Sequence, residues 1–299
     1  MHTCVHCSIL SLHVVSCDTV NPTSYCVSVS DTICTNTGAP QGTVLSPFLF
    51  SLYTADFRSS SDSCPITKFA DDTGLTGLLT VDDDSDYRQE VDRFVGWCEN
   101  NYLELNVGKT KEMIMDNRRG EHVHREIVIK GEVVEKVEQY KYLGVIIDNK
   151  LTWKPNSDAL VKKLHSRLYF LRKLRSFNIR QEILQMFYTS TCNSVLYFGS
   201  VCWGGNINKQ DRDRLDKFIR KASGVVGRKQ DSFTSTHERR LTDKVQKILA
   251  DDSHPLRPEF DSRRTDRSNR FRQPTARSTR YRNSFIPSAI HIFNSQVGR

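Results

Sequence analysis

The sequence predicts an α+β fold, because strand-forming and helix-forming patterns both occur in it. Two short β-prone runs flank Ala70-Asp71-Asp72, which predicts a β-hairpin with carboxylates at its apex. Apolar residues recur at close to helical spacing in residues 85–98 and again in residues 160–174, which predicts amphipathic helices. We therefore expect a hairpin and further strands with helices packed on them.

A glycine-containing turn precedes the hairpin. Gly38-Ala39-Pro40-Gln41-Gly42 places two glycines around a proline, and such a turn lets a ligand approach the backbone closely. The apolar residues of segment 43–53 then recur at helical spacing, which predicts a buried helix.

The paired carboxylates of Asp71 and Asp72 suggest a metal site. Neighbouring carboxylates at a hairpin tip repel one another, and a divalent cation is the usual reason for this arrangement. An ordinary acidic turn is the alternative for this pair taken alone. The acidic run at residues 82–84 has a different explanation, because carboxylates stabilise the N-terminus of the helix predicted after it.

The second helical pattern combines an apolar stripe with a basic surface. The stripe consists of Leu160, Leu164, Leu168, Leu171 and Leu174. Basic residues occupy the remaining surface: Lys162, Lys163, His165, Arg167, Arg172, Lys173 and Arg175. This pattern predicts a helix that packs on one side and faces a phosphate backbone on the other. A solvated basic helix without a ligand is the alternative.

Composition favours a polyanionic partner and an intracellular protein. Lys and Arg number 43 against 35 Asp and Glu, so the formal net charge is +8. No apolar run reaches the ~18 residues of a membrane span, so we expect no membrane partner. Cys4-x-x-Cys7 has the spacing of half a zinc site, but no second half follows, and cytosolic thiols are the expectation. Nucleus and cytoplasm both remain open.

Four motifs occur in the order found in reverse transcriptases. The Gly38–Gly42 turn with Ser46-Pro47 resembles the motif that positions template and nucleotide, and Phe69-Ala70-Asp71-Asp72 resembles the catalytic hairpin, with Phe where Tyr is more usual. Residues 103–111 resemble the next palm motif, and residues 140–145 resemble the primer-grip strand. Over residues 36–227 the chain is thus similar to the reverse transcriptases of non-LTR (LINE-like) retrotransposons.

The resemblance implies roles for particular residues. The catalytic residues would be Asp71, Asp72 and Lys109, with Asp71 and Asp72 as Mg²⁺ ligands. Nucleotide and template would lie against Gly38, Pro40, Gln41, Gly42 and Phe69. The primer grip would comprise Tyr140, Tyr142, Leu143 and Gly144, and the nucleic-acid backbone would contact Lys162, Lys163, Arg167, Arg172 and Lys173. The implied partners are an RNA template, a DNA primer and nucleic acid bound without sequence preference.

We expect four segments along the chain. Residues 1–35 form an irregular leader rich in Cys, Ser and Thr, and residues 36–153 form a partial reverse-transcriptase palm. Residues 154–249 form a helical, thumb-like region, and residues 250–299 form a flexible Arg-rich tail with a short terminal helix. The tail carries eight arginines between Arg263 and Arg282 against one acid, a composition suited to phosphate contacts.

One expected catalytic carboxylate has no counterpart in the sequence. Reverse transcriptases supply a further Asp from an earlier palm strand, and only Asp18 and Asp31 precede the glycine turn. Without that ligand the two-metal geometry fails, so we expect little or no polymerase activity.

Two other functions remain open at this point. The first is a noncatalytic nucleic-acid-binding protein, favoured by the basic helix and the Arg-rich tail. The second arises because residues 168–203 resemble a short N-terminal segment of AlkB-type homologues. That segment is not the oxygenase, and the nearest approach to an iron-binding triad, His122, His124 and Glu126, lies in a polar stretch.

Overall fold

The computed structural model describes residues 6–15, 44–79, 83–116, 124–265 and 270–297, with the backbone alone described for residues 6–15, 79 and 297. The chain divides into two compact units, Met1–Tyr142 and Leu143–Arg299. From the sequence we expected the boundary between the palm and the helical region after residue 153. Each unit is presented by itself.

The first unit is built on a mixed sheet. Its strands are β1 His6–Val15, β2 Ile66–Phe69, β3 Asp72–Leu79, β4 Glu104–Leu105, β5 Lys111–Met115, β6 Val128–Ile129, β7 Glu132–Val133, β8 Glu135–Lys136 and β9 Gln139–Tyr142. The main sheet has the order β2-β3-β1-β5-β8, and β4 also pairs with β1. Strand β1 runs antiparallel to β3, β4 and β5. Strands β6 and β7 form a separate small hairpin.

Two helices accompany this sheet, α1 Leu45–Tyr53 and α2 Ser85–Asn100. Helix α2 buries Tyr87, Val91, Phe94 and Cys98, which recur at helical spacing on one face. The ring of Phe94 meets that of Phe57 edge-on, with 5.0 Å between the ring centroids. The amphipathic helix expected after residue 85 is therefore confirmed, with Val95 only half-buried.

Helix α1 forms as expected, but the prediction that it is buried is wrong. Its side chains are largely exposed, including Leu45 at 65%, Phe48 at 64% and Leu52 at 63%. Phe50 packs partly against the core of the first unit. An apolar composition allows a helix to be buried. Whether the helix is buried depends on which other segments of the chain pack over it.

The prediction of an irregular leader is wrong for ten of its residues. Strand β1 lies inside the sheet, between β3 and β5. Its backbone therefore has hydrogen-bonding partners on both sides, an arrangement that the Ser- and Cys-rich composition did not reveal.

The second unit begins with strand β10 Val145–Asp148 and is otherwise helical. Its helices are α3 Lys154–Ser176, α4 Gln181–Phe187, the π-helix Tyr188–Asn193, α5 Ser194–Leu196, α6 Ser200–Trp203, α7 Lys209–Val226, α8 Phe233–Ala250, α9 Arg257–Asp261, α10 Thr279–Arg282 and α11 Phe285–Val297. The predicted leucine stripe is confirmed, since Leu160, Leu164, Leu168 and Leu171 are buried and Leu174 is half-buried. Among the described residues, no helix has the length and apolar character needed to cross a membrane.

The prediction of a flexible tail is wrong for the described residues 250–265 and 270–297. Phe260, Phe271 and Ile290 are buried in a cluster with apolar side chains of α8. The side chain of Asn294 holds the backbone at Phe271, donating to its carbonyl at 2.8 Å and accepting from its amide at 3.0 Å. The expected terminal helix is present as α11. The apolar residues of this core are separated by arginines along the chain, so they show no helical or strand period in the sequence.

We predict that Phe271→Ala destabilises the second unit by about 3–5 kcal/mol, because it removes a buried aromatic ring and leaves a cavity. Urea denaturation of the full chain, followed by circular dichroism, measures the change. The matched control is Tyr281→Ala, since Tyr281 is 44% exposed; its cost should stay within about 0.5 kcal/mol. Equal and small losses of stability in both variants would instead support a flexible tail.

Candidate functional site

The acidic hairpin predicted from the sequence is present in the first unit. Strands β2 and β3 pair antiparallel, with Phe69 opposite Asp72, so Ala70 and Asp71 form the turn. Asp71 is exposed at the apex, and Asp72 is the half-buried first residue of β3. The two carboxylates therefore belong to adjacent residues at one end of the sheet.

The turn has an unusual backbone. Ala70 has a φ of 52°, in the left-handed region that costs an L-residue with a side chain about 1–2 kcal/mol. Such strain persists where the surrounding structure imposes it, and it is often found at functional sites. The flanking strands impose it here, because their pairing continues up to Phe69 and Asp72.

Tyr142 packs against the strand that carries Asp72. Gly74 lies two residues after Asp72 and therefore on the same face of β3. A Cβ atom added at Gly74 would lie 3.0 Å from the Tyr142 hydroxyl oxygen. The ring of Tyr142 thus occupies space that a side chain would fill at most other strand positions.

The Tyr142 hydroxyl is buried close to the negative charge of Asp72. Burial raises the pKa of this phenol, and the nearby charge of Asp72 raises it further. Its oxygen is buried and has no hydrogen-bond partner among the described residues. Tyr140 and Tyr142 are half-buried and Lys141 is exposed, as the predicted alternation requires. The structure therefore brings together Asp72, Gly74 and Tyr142, a contact that the sequence analysis missed.

A tyrosine ring also packs closely against the opposite face of β3. A Cβ atom added at Gly77 would lie 2.6 Å from Cδ2 of Tyr87 in helix α2. Glycines that occur within a β-prone run are the sequence signal for such close approaches.

Lys109 lies at the same end of the sheet as the acidic apex. Ser11 of β1 pairs with both Gly74 and Lys111, so β1 separates the strand of Asp72 from the strand that follows Lys109. Two strand spacings amount to about 10 Å. Lys109 is exposed, and the motif around it has a structural role, since the Asn106 side-chain oxygen accepts from its amide at 3.0 Å.

The remaining predicted residues around the apex have different outcomes. Phe69 is 63% exposed beside the turn. The nucleotide- and template-binding residues Gly38, Pro40, Gln41 and Gly42 lie outside the described residues. Leu143 and Gly144, with φ of 45° and 89°, form a turn at the start of the second unit.

The donor atoms at the apex suit Mg²⁺, which prefers carboxylate oxygens and retains several waters in its coordination shell. Two adjacent carboxylates can supply part of such a shell. Among the described residues, no group of three or more His, Cys, Asp or Glu side chains is arranged to hold a metal. His124, named in the triad alternative, instead lies 3.5 Å from Asp116, and His122 is outside the described residues.

Helix α3 presents the predicted basic surface in the second unit. Lys162, Lys163, Arg172 and Lys173 are exposed, and Arg167 is half-buried. Several tail arginines are exposed as well: Arg264, Arg270, Arg272, Arg277, Arg280 and Arg282. These placements are compatible with phosphate contacts, and nucleic-acid binding by these residues stays a prediction.

Two family models match separate parts of the chain. Residues 11–147 match the model described as reverse transcriptase (RNA-dependent DNA polymerase). Residues 153–194 match the model described as alkylated DNA repair protein alkB homolog 8, N-terminal. The second match covers α3, α4 and the π-helix and lies within the second unit.

Curated proteins of fruit flies are similar to this chain. The RNA-directed DNA polymerase from mobile element jockey of Drosophila funebris is 30% identical over 140 residues, which are 44% of this chain and 15% of that protein. The jockey polymerase of Drosophila melanogaster is 28% identical over 234 residues, 71% of this chain and 25% of that protein. A probable RNA-directed DNA polymerase from transposon BS of Drosophila melanogaster is 27% identical over 178 residues, 56% and 20% of the two chains. The chain spans about a quarter or less of the length of these relatives.

We predict that Gly74→Ala destabilises the first unit by about 1–3 kcal/mol, because the added methyl group crowds the Tyr142 hydroxyl. In a Tyr142→Phe background the same substitution should cost clearly less, since the ring carbon next to that oxygen is 3.5 Å away. A double-mutant cycle in urea measures the coupling between the two positions. Purely additive costs would show that the ring does not lie over Gly74.

Proposed function

Because the chain is related to the reverse transcriptases of non-LTR retrotransposons through residues 11–147, we propose that the first unit is part of a polymerase palm. The basic helical second unit would then be a thumb-like region. The observation that carries this proposal is the hairpin apex, where adjacent carboxylates stand at the exposed end of a sheet.

In this proposal Asp71 and Asp72 would hold Mg²⁺, which would supply positive charge to neutralise the phosphates of a nucleotide triphosphate. Asp71 extends from the turn, and Asp72 is held by the pairing of β3. Tyr142 supports the strand beneath them, and Lys109 stabilises negative charge on the leaving pyrophosphate at the same end of the sheet.

The described part of the palm provides fewer carboxylates than this chemistry needs. Strand β1, which pairs with β3, contains no Asp or Glu, and His13 is the residue opposite Asp72. Two carboxylates of one hairpin do not suffice for two ions that are about 3.5–4 Å apart. We therefore propose that this 299-residue polypeptide has little or no polymerase activity by itself.

A noncatalytic nucleic-acid-binding protein is the second candidate function. The exposed lysines and arginines of α3, together with the exposed tail arginines, favour it. Affinity that falls steeply with salt, without any nucleotide incorporation, would distinguish this function from catalysis.

We predict that the chain binds Mn²⁺, used as a spectroscopic probe for Mg²⁺, at one weak site that depends on Asp71 and Asp72. Asp72→Asn should lower the affinity about tenfold or more, because a carboxylate charge ~4 Å from a divalent cation contributes about 2–8 kcal/mol under water-like to surface-like screening. Electron paramagnetic resonance counts the free Mn²⁺. The control is Asp83→Asn, since Asp83 is exposed and bonded to Ser85. Equal losses in both variants would exclude a specific site.

We predict no metal-dependent primer extension by the full chain on an RNA template with a DNA primer. The reason is that the described residues bring no third carboxylate together with Asp71 and Asp72, and the measurement is incorporation of labelled nucleotide with Mg²⁺ or Mn²⁺ present. Incorporation that Asp71→Asn abolishes and Asp83→Asn spares would contradict this prediction and identify a complete catalytic centre.

A further inference from the structure

A groove on the second unit lies between α3 and the segment formed by α4 and the π-helix. Its volume is about 240 Å³, below the range of drug-sized pockets and sufficient for one small ring system. The lining residues are Arg167, Phe170, Lys173, Leu174, Phe187 and Thr191. None of them is acidic, so the groove combines an apolar surface with two positive charges.

The two sides of the groove follow from helical spacing. Arg167, Phe170 and Leu174 recur at intervals of three and four residues and therefore share one face of α3. Phe187 and Thr191 face them from the neighbouring segment, where Thr191 belongs to the π-helix Tyr188–Asn193. π-helical turns occur frequently at functional sites.

Phe170 and Arg167 each present a group that a ligand could contact. The ring of Phe170 meets that of Tyr169 edge-on, with 5.6 Å between the ring centroids, yet 48% of Phe170 is exposed to solvent. The Nε atom of Arg167 is buried and has no hydrogen-bond acceptor among the described residues. A buried donor without an acceptor is unfavourable, and a ligand oxygen would satisfy it.

We propose that this groove binds an unpaired base of single-stranded nucleic acid, with the base stacked on Phe170 and the adjacent phosphate held by Arg167 and Lys173. Aromatic stacking together with cationic phosphate contacts is how proteins bind single strands without sequence preference. An apolar peptide would leave the Arg167 donor unsatisfied. A base within a duplex could not enter, because its faces are covered by neighbouring bases.

The inference rests on the proposed nucleic-acid contact of α3 and adds a specific ligand to it. The groove lies in a part of the chain, residues 153–194, that matches a family model separate from the reverse transcriptase match. Neither Asp71 nor Asp72 lines the groove. Base binding there can therefore be tested in a catalytically inactive chain.

The test compares oligothymidylate and oligouridylate with abasic oligonucleotides of equal length, using fluorescence anisotropy of the full chain. We expect about tenfold tighter binding to the strands that carry bases, since stacking contributes about 1–3 kcal/mol per base. Phe170→Ala should abolish this preference and leave the affinity for abasic strands unchanged. The control is Tyr102→Ala, because Tyr102 is an aromatic residue that is 97% exposed and does not line the groove.

A second measurement does not depend on a variant. Photocrosslinking with 5-iodouracil oligonucleotides should label the peptide that contains Phe170 or the one that contains Phe187. Equal affinity for base-bearing and abasic strands, or crosslinks confined to other regions, would overturn the base site while leaving phosphate binding by α3 intact. Failure of every oligonucleotide to bind would contradict the nucleic-acid function as well. An apolar helical peptide that binds in the groove and is not displaced by oligonucleotides would assign it to a protein partner.

Discussion

The position of the acidic apex depends on two close contacts between glycines and tyrosine rings. Gly74 leaves room for Tyr142 on one face of β3, and Gly77 leaves room for Tyr87 of α2 on the other. Backbone pairing with β2 and β1 fixes the edges of the same strand. Because β3 is held in this way, it can support a strained turn at Ala70 and two neighbouring carboxylates at its end.

These contacts also connect the predicted catalytic residue Asp72 with Tyr142, a residue of the predicted primer grip. Asp72 and Gly74 share a face of β3, and Tyr142 lies over that face. The raised pKa of Tyr142 follows from the burial of its phenol and from the charge of Asp72, so the hydroxyl stays neutral beside the carboxylate. A change at Tyr142 can thus affect the geometry of the apex through one aromatic ring.

The sequence revealed the features that depend on local patterns. The hairpin, helix α2 and the leucine stripe of α3 were predictable, since each follows from spacing within about 25 residues. The sequence did not reveal that β1 lies between β3 and β5 or that Phe260 and Phe271 complete a core with α8. Those contacts join distant parts of the chain, and polar or Arg-rich surroundings conceal them. The exposure of α1 was missed for a related reason, because composition does not specify what covers a helix.

We propose that Asp71 and Asp72 together hold a metal ion at the hairpin apex of the first unit. The most direct test is a crystal structure of the full chain soaked in Mn²⁺, with the ion located by anomalous scattering. We expect an anomalous peak bound by the carboxylates of Asp71 and Asp72. An apex without such a peak would contradict a metal-holding role for these two residues.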